Sequence, residues 1–162
     1  MDEIRVDGLS DLLGRLQYLA AVTDDKTSER AVTNALKKAG RVLQHSAQDK
    51  LRAAGHVKSG QLVNNIIVKK TRSRQQGMIT VIVSVNAKAK AYKDNKSNRR
   101  KQRVGGGYTD YGPLFYARFL EFGTSHQPAY PFLRPAFEED KSSLPELIRD
   151  DLAAGIDKAM KK

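Results

Sequence analysis

The chain contains no cysteine. That excludes thiol nucleophiles, disulfide staples and Cys-ligated zinc, and it suits a reducing compartment such as the cytoplasm. Histidine is also scarce. His45, His56 and His126 are the three present, and none stands at metal-ligand spacing from a second histidine or a carboxylate. No metal site or cofactor is therefore expected. No apolar run approaches the roughly 20 residues needed to span a bilayer, so no membrane partner is expected. Met1-Asp2-Glu3-Ile4-Arg5 is charged and lacks an apolar core, so no signal peptide is expected there. Gly105-Gly106-Gly107 lacks the Gly-Lys-Ser/Thr ending of a phosphate loop and reads as a flexible stretch. There is no internal repeat.

What is present suits one domain spanning 1–162. A compact chain of 162 residues can bury roughly 70% of its unfolded surface and needs no staple to fold. The formal net charge of +11 would attract polyanions or an acidic partner.

Hydrophobic periodicity divides the chain into elements. Ile4 and Val6 alternate with Arg5 as a short strand, and Asp7-Gly8 turns the chain. Leu9, Leu12, Leu13, Leu16 and Leu19 recur at helical spacing and predict an amphipathic helix over 9–21. Thr23-Asp24-Asp25 breaks it and can cap a second helix over about 26–53. The apolar face of that helix is Ala31, Val32, Ala35, Leu36, Ala39, Val42, Leu43 and Leu51. Gly40 lies within it, and the small residues there allow a neighbouring helix to approach closely. Two β-branched runs, Asn64–Val68 and Met78–Val85, flank the polar turn Gln75-Gln76-Gly77 and predict an antiparallel hairpin over about 64–86.

Residues 87–112 differ in kind. Lys88, Lys90, Lys93, Lys96, Arg99, Arg100, Lys101 and Arg103 face only two carboxylates, Asp94 and Asp110, so more than half of the chain's +11 sits here. Few apolar residues are available to offset the entropy of ordering. The segment therefore reads as a long mobile basic insertion at about 87–112. Two readings of it stand side by side. It can contact nucleic acid through phosphates, with stacking from Tyr92, Tyr108 and Tyr111. It can equally be a solvated loop with no fixed partner. Charge alone does not separate the two.

An aromatic block follows. Tyr116, Phe119 and Leu120 follow helical spacing and predict a short helix ended by Gly123-Thr124. Tyr130 to Pro135 is expected to be extended, because residues before proline avoid the α region. Pro135 then suits the first turn of a final helix. Its apolar stripe is Phe137, Leu144, Leu147, Ile148, Leu152, Ile156 and Met160, with a restart or kink near Ser142, Ser143 and Pro145. Glu121 is the one acid inside the aromatic cluster. Burial of such a group can tune it for acid–base work, but no second acid stands beside it. We expect Glu121 to be structural, accepting backbone or hydroxyl hydrogen bonds or pairing with Arg118 or Arg134. Phe119, Phe122, Phe132 and Phe137 read either as core or as an interface, with Tyr130 or Arg134 facing a neighbour.

These residues carry a resemblance. Tyr116-Ala117, Phe119-Leu120, Glu121-Phe122-Gly123-Thr124, Pro128-Ala129 and Pro131-Phe132-Leu133-Arg134-Pro135-Ala136-Phe137 resemble the pattern of the tail-completion, or head–tail joining, proteins of long-tailed bacteriophages. This is a tail-component family to which minor tail protein Z of lambda-like phages is functionally related. A looser match is Ser59-Gly60-Gln61-Leu62 followed by Asn65-Ile66, where the serine and the asparagine depart from the family pattern. The layout also agrees: two N-terminal helices, an antiparallel β-hairpin or small sheet, the aromatic motif and a C-terminal helix, while the long basic loop at about 87–112 is longer than the family minimum. The resemblance implies an α+β fold and a structural, non-catalytic protein of the virion neck. It implies a ring of six copies, beside the tail terminator and the connector or stopper proteins, with genomic DNA passing through the channel. A small nucleic-acid-binding protein acting through residues 88–103 is the other reading the sequence allows.

Overall fold

The computed structural model describes residues 9–22, 25–55, 60–71, 78–110 and 112–161. The expected strand at Ile4–Val6, the turns at Asp7-Gly8 and Gln75–Gly77, and Thr23, Asp24, His56, Ser59 and Tyr111 lie outside these residues.

Helix α1 (Leu9–Val22) leads to the long helix α2 (Asp25–Ala53), then to the single turn α3 (Gln61–Asn64). Strands β1 (Ile66–Thr71) and β2 (Thr80–Val85) pair antiparallel, with Ile66 opposite Val85 and Val68 opposite Val83. Strand β3 (Lys88–Ala91), helix α4 (Lys96–Arg100) and strand β4 (Gly107–Asp110) follow, and β3 pairs antiparallel with β4 in a second small sheet. After a 3-10 turn at Gly112–Leu114 come α5 (Ala117–Phe122), α6 (Leu133–Asp140) and α7 (Leu144–Met160). This is an α+β fold, as expected. No helix among the described residues is long and apolar enough to cross a membrane.

Helix α2 is the spine. It packs against α7, α6 and both strands of the first sheet. Its small residues do two separate jobs. Ala31 receives Gly155 of α7, whose virtual Cβ would sit 3.5 Å from the Ala31 methyl. Gly40 receives the sheet, since a Cβ there would stand 2.7 Å from Val68 Cγ1. The close neighbour at Gly40 is thus a strand, while the helix expected against these small residues is α7, which arrives at Ala31. The alternation of β1 explains this: Ile66 and Val68 lie on the face turned to α2, and Gln44 of α2 donates its side-chain N–H to the Ile66 carbonyl. The main core gathers Ala47, Leu51, Leu62, Val63, Ile66, Val85, Leu114, Ala117, Leu120, Phe132 and Ala136. A smaller cluster around Leu12 and Ile156 holds α1 to α7. Leu13, Val42 and Met160, read from periodicity as apolar-face residues, are exposed at the margins.

Two expectations about backbone are corrected. Residues 87–112 are not a structureless loop but the β3–α4–β4 hairpin, held by polar groups that a count of apolar residues overlooks. Tyr130–Pro135 is not extended throughout: α6 begins at Leu133, so Arg134 is helical directly before Pro135. The helix stops at Asp140 and restarts at Leu144 with Pro145 in its first turn, the restart allowed for by the sequence.

Candidate functional site

The aromatic block closes around Glu121. This residue lies in α5, is 7% exposed, and points at the start of α6. Its Oε2 accepts the backbone N–H groups of Phe132 at 2.9 Å and Leu133 at 3.0 Å, and its Oε1 accepts that of Arg134 at 3.0 Å. The first N–H groups of any helix lack intrahelical acceptors. Here a carboxylate from another helix supplies them, and its charge complements the positive end of the α6 dipole. The next residue is Pro135, which has no N–H to satisfy. Every donor of that first turn is thereby accounted for, and this capping offsets the steric cost of a helical residue directly before a proline.

The chain must turn back sharply for this clasp to form. Gly123 has φ 72°, in the left-handed region. A Cβ there would lie 2.9 Å from the Ala129 nitrogen and 3.0 Å from the Gln127 carbonyl, so both dihedral and space require glycine. Thr124 then bridges to Gln127, its N–H donating to the Gln127 carbonyl at 2.8 Å, while its hydroxyl accepts from the His126 N–H at 3.2 Å. Tyr130 returns to α5 by donating its N–H to the Leu120 carbonyl at 2.7 Å.

Of the four phenylalanines, Phe132 alone enters the core, at 1% exposed. Phe119, Phe122 and Phe137 are exposed, as are Phe115 and Tyr130, while Tyr116 is half-buried against the core. The reading in which all four rings form the core is therefore corrected. Phe115 stands edge-on to Phe119 at 6.1 Å. The guanidinium groups of Arg118 and Arg134 lie over Phe119 and Phe122, at 5.7 and 6.0 Å, rather than against Glu121. Between these rings and β2 runs a cleft of about 790 Å³ lined by Leu43, Val81, Val83, Phe122, Leu133 and Phe137 among others. Pro131 is exposed.

The β3–α4–β4 hairpin is a separate structure. Asn98 is its buried anchor, at 8% exposed. The Asn98 side chain donates to the Lys93 carbonyl at 2.8 Å and accepts from Arg103 Nε at 3.0 Å, while its N–H donates to Asn95 Oδ1 at 2.8 Å, capping α4. Tyr92 stacks on Tyr108 at 4.6 Å, and the Arg103 guanidinium lies 4.5 Å from the Tyr92 ring centre. The two rings are stacked on each other inside the hairpin, with Tyr108 still 37% exposed. The two carboxylates are also taken: Asp110 pairs with Lys90, and Asp94 with Arg99. Lys90, and then the Gly112 N–H, hold the Asp110 carboxyl below the usual carboxylate range.

Asn98 was not singled out by the sequence reading. Its signal was Asn95 three residues earlier, an N-cap type ahead of a basic turn. Among the described residues no group of acids and histidines could hold a metal ion. His45 and His126 are exposed and lie apart from Glu121's carboxylate contacts.

Comparison with known proteins gives one family. The model of the HK97-gp10-like family, described as a tail component of bacteriophage HK97-gp10 type, matches residues 12–123. Searches of curated proteins and of solved structures return no match.

Proposed function

Because the chain belongs to the HK97-gp10-like family of bacteriophage tail components, we propose that it is a structural protein that completes the tail and joins it to the capsid connector. In this reading six copies form a ring in the virion neck, after assembly in the host cytoplasm. The neighbours are the tail terminator and the connector or stopper proteins. The observation that carries the reading is the family match itself, which runs from Leu12, the first leucine of the α1–α7 cluster, to Gly123 at the turn of the clasp.

The geometry supports it in two ways. Phe119, Phe122 and Phe137 expose aromatic surface on short helices pinned by Glu121, and Phe115 adds to it just before α5. Aromatic and arginine side chains anchor interfaces, and rings held on a fixed backbone lose little entropy on docking. A head-to-tail contact that closes on itself generates a ring. The same geometry favours a non-catalytic role, because both Glu121 oxygens are already committed to backbone N–H groups.

Native mass spectrometry of the purified chain together with a gene knockout tests the proposal. Sixfold assemblies, and a knockout that leaves heads and tails unjoined, are expected. Normally joined particles in the knockout would overturn it.

A further inference from the structure

The eight cations of the β3–α4–β4 hairpin are not equivalent. Lys90 and Arg99 are spent on Asp110 and Asp94. Arg103 is spent on Tyr92 and Asn98. Lys88 stands opposite Asp110 across the ladder. The remaining four, Lys93, Lys96, Arg100 and Lys101, are exposed, and no ion pair among the described residues involves them. They fall within nine residues around α4, on a turn fixed by the Asn98 network.

We propose that these four side chains form a contact site for the phosphodiester backbone of DNA. The structural cations build the platform and the free ones bind. A protein partner would call for a desolvated aromatic or apolar anchor among the charges, and protein interfaces are depleted in lysine. The hairpin's aromatic pair, Tyr92 and Tyr108, is instead turned to its own stacking. The four cations recognise phosphate charge and not base edges, so binding is independent of sequence and strongly salt-dependent. The inference rests on the charge distribution and not on ring formation.

The test uses the full chain and a labelled mixed-sequence duplex of about 30 base pairs, titrated across salt concentrations. The variant carries Lys93→Gln, Lys96→Gln, Arg100→Gln and Lys101→Gln. A charge-matched control carries Lys37→Gln, Arg41→Gln, Lys158→Gln and Lys161→Gln. The hairpin variant should keep the wild-type melting temperature and lose roughly 100-fold in affinity near 0.1 M salt, its salt slope falling by about 0.9 for each phosphate contact removed. The control should keep most of its affinity. Equal losses in the two variants would overturn the site, as would unchanged binding in the hairpin variant. Hairpin-dependent binding of polyglutamate without binding of the duplex would also overturn it, and would assign the four cations to an acidic protein.

Discussion

The Glu121 clasp and the basic hairpin are neighbours in sequence but are held together by opposite means. In the clasp, one buried carboxylate gathers three backbone N–H groups and draws Phe132 into the core. Its stability comes from apolar burial and from buried and part-buried donors that the carboxylate satisfies. The hairpin has one buried anchor, Asn98, and otherwise a ring stack and exposed ion pairs. Exposed pairs contribute little, about 0–1 kcal/mol each. A chain segment can thus be given a defined shape with almost no core, provided the polar groups that brace it have partners. The contrast also separates the roles: the clasp presents aromatic surface, and the hairpin presents charge.

Substitutions should break the two regions unequally. Phe132→Ala empties the centre of the clasp and should cost about 3–5 kcal/mol, read as a lower urea midpoint for the whole chain. Glu121→Gln replaces an acceptor oxygen by a donor facing backbone N–H groups. It should cost about 2–3 kcal/mol in the same assay, with α6 fraying first in hydrogen exchange. Asn98→Ala should cost about 1–2 kcal/mol but release only the hairpin amides, leaving those of α2 protected. Phe122→Ala removes a ring that is 70% exposed. It should change monomer stability by less than about 0.5 kcal/mol while weakening self-association in native mass spectrometry. A global unfolding caused by Asn98→Ala, equal to that of Glu121→Gln, would erase the distinction between the regions.

The sequence was most legible where one periodicity dominates. Leucine and alanine spacing located α1 and α2, and β-branched runs located β1 and β2. Glu121 could be read as a structural acceptor, but its three donors could not be named, because they lie 11 to 13 residues away across a turn. The same gap hid the start of α6: the local preference of a residue before proline was outweighed by a cap arriving from another helix. The hairpin was missed because its cohesion depends on Asn98, Arg103 and Tyr92, and polar partnerships leave no hydrophobic period. Which phenylalanine enters the core was equally hidden, since Phe119, Phe122 and Phe132 are equal in apolar character and differ only in where α5 and α6 turn them.

We propose that this tail-component family member is built into the neck of the virion through its clasped aromatic face. Cryo-electron microscopy of particles assembled from the phage genome that encodes it tests this most directly. The account predicts a ring of copies at the head-proximal end of the tail, with α5 and α6 of each copy against the next. Particles whose tails lack this chain, or a ring whose copies meet without those helices, would contradict it.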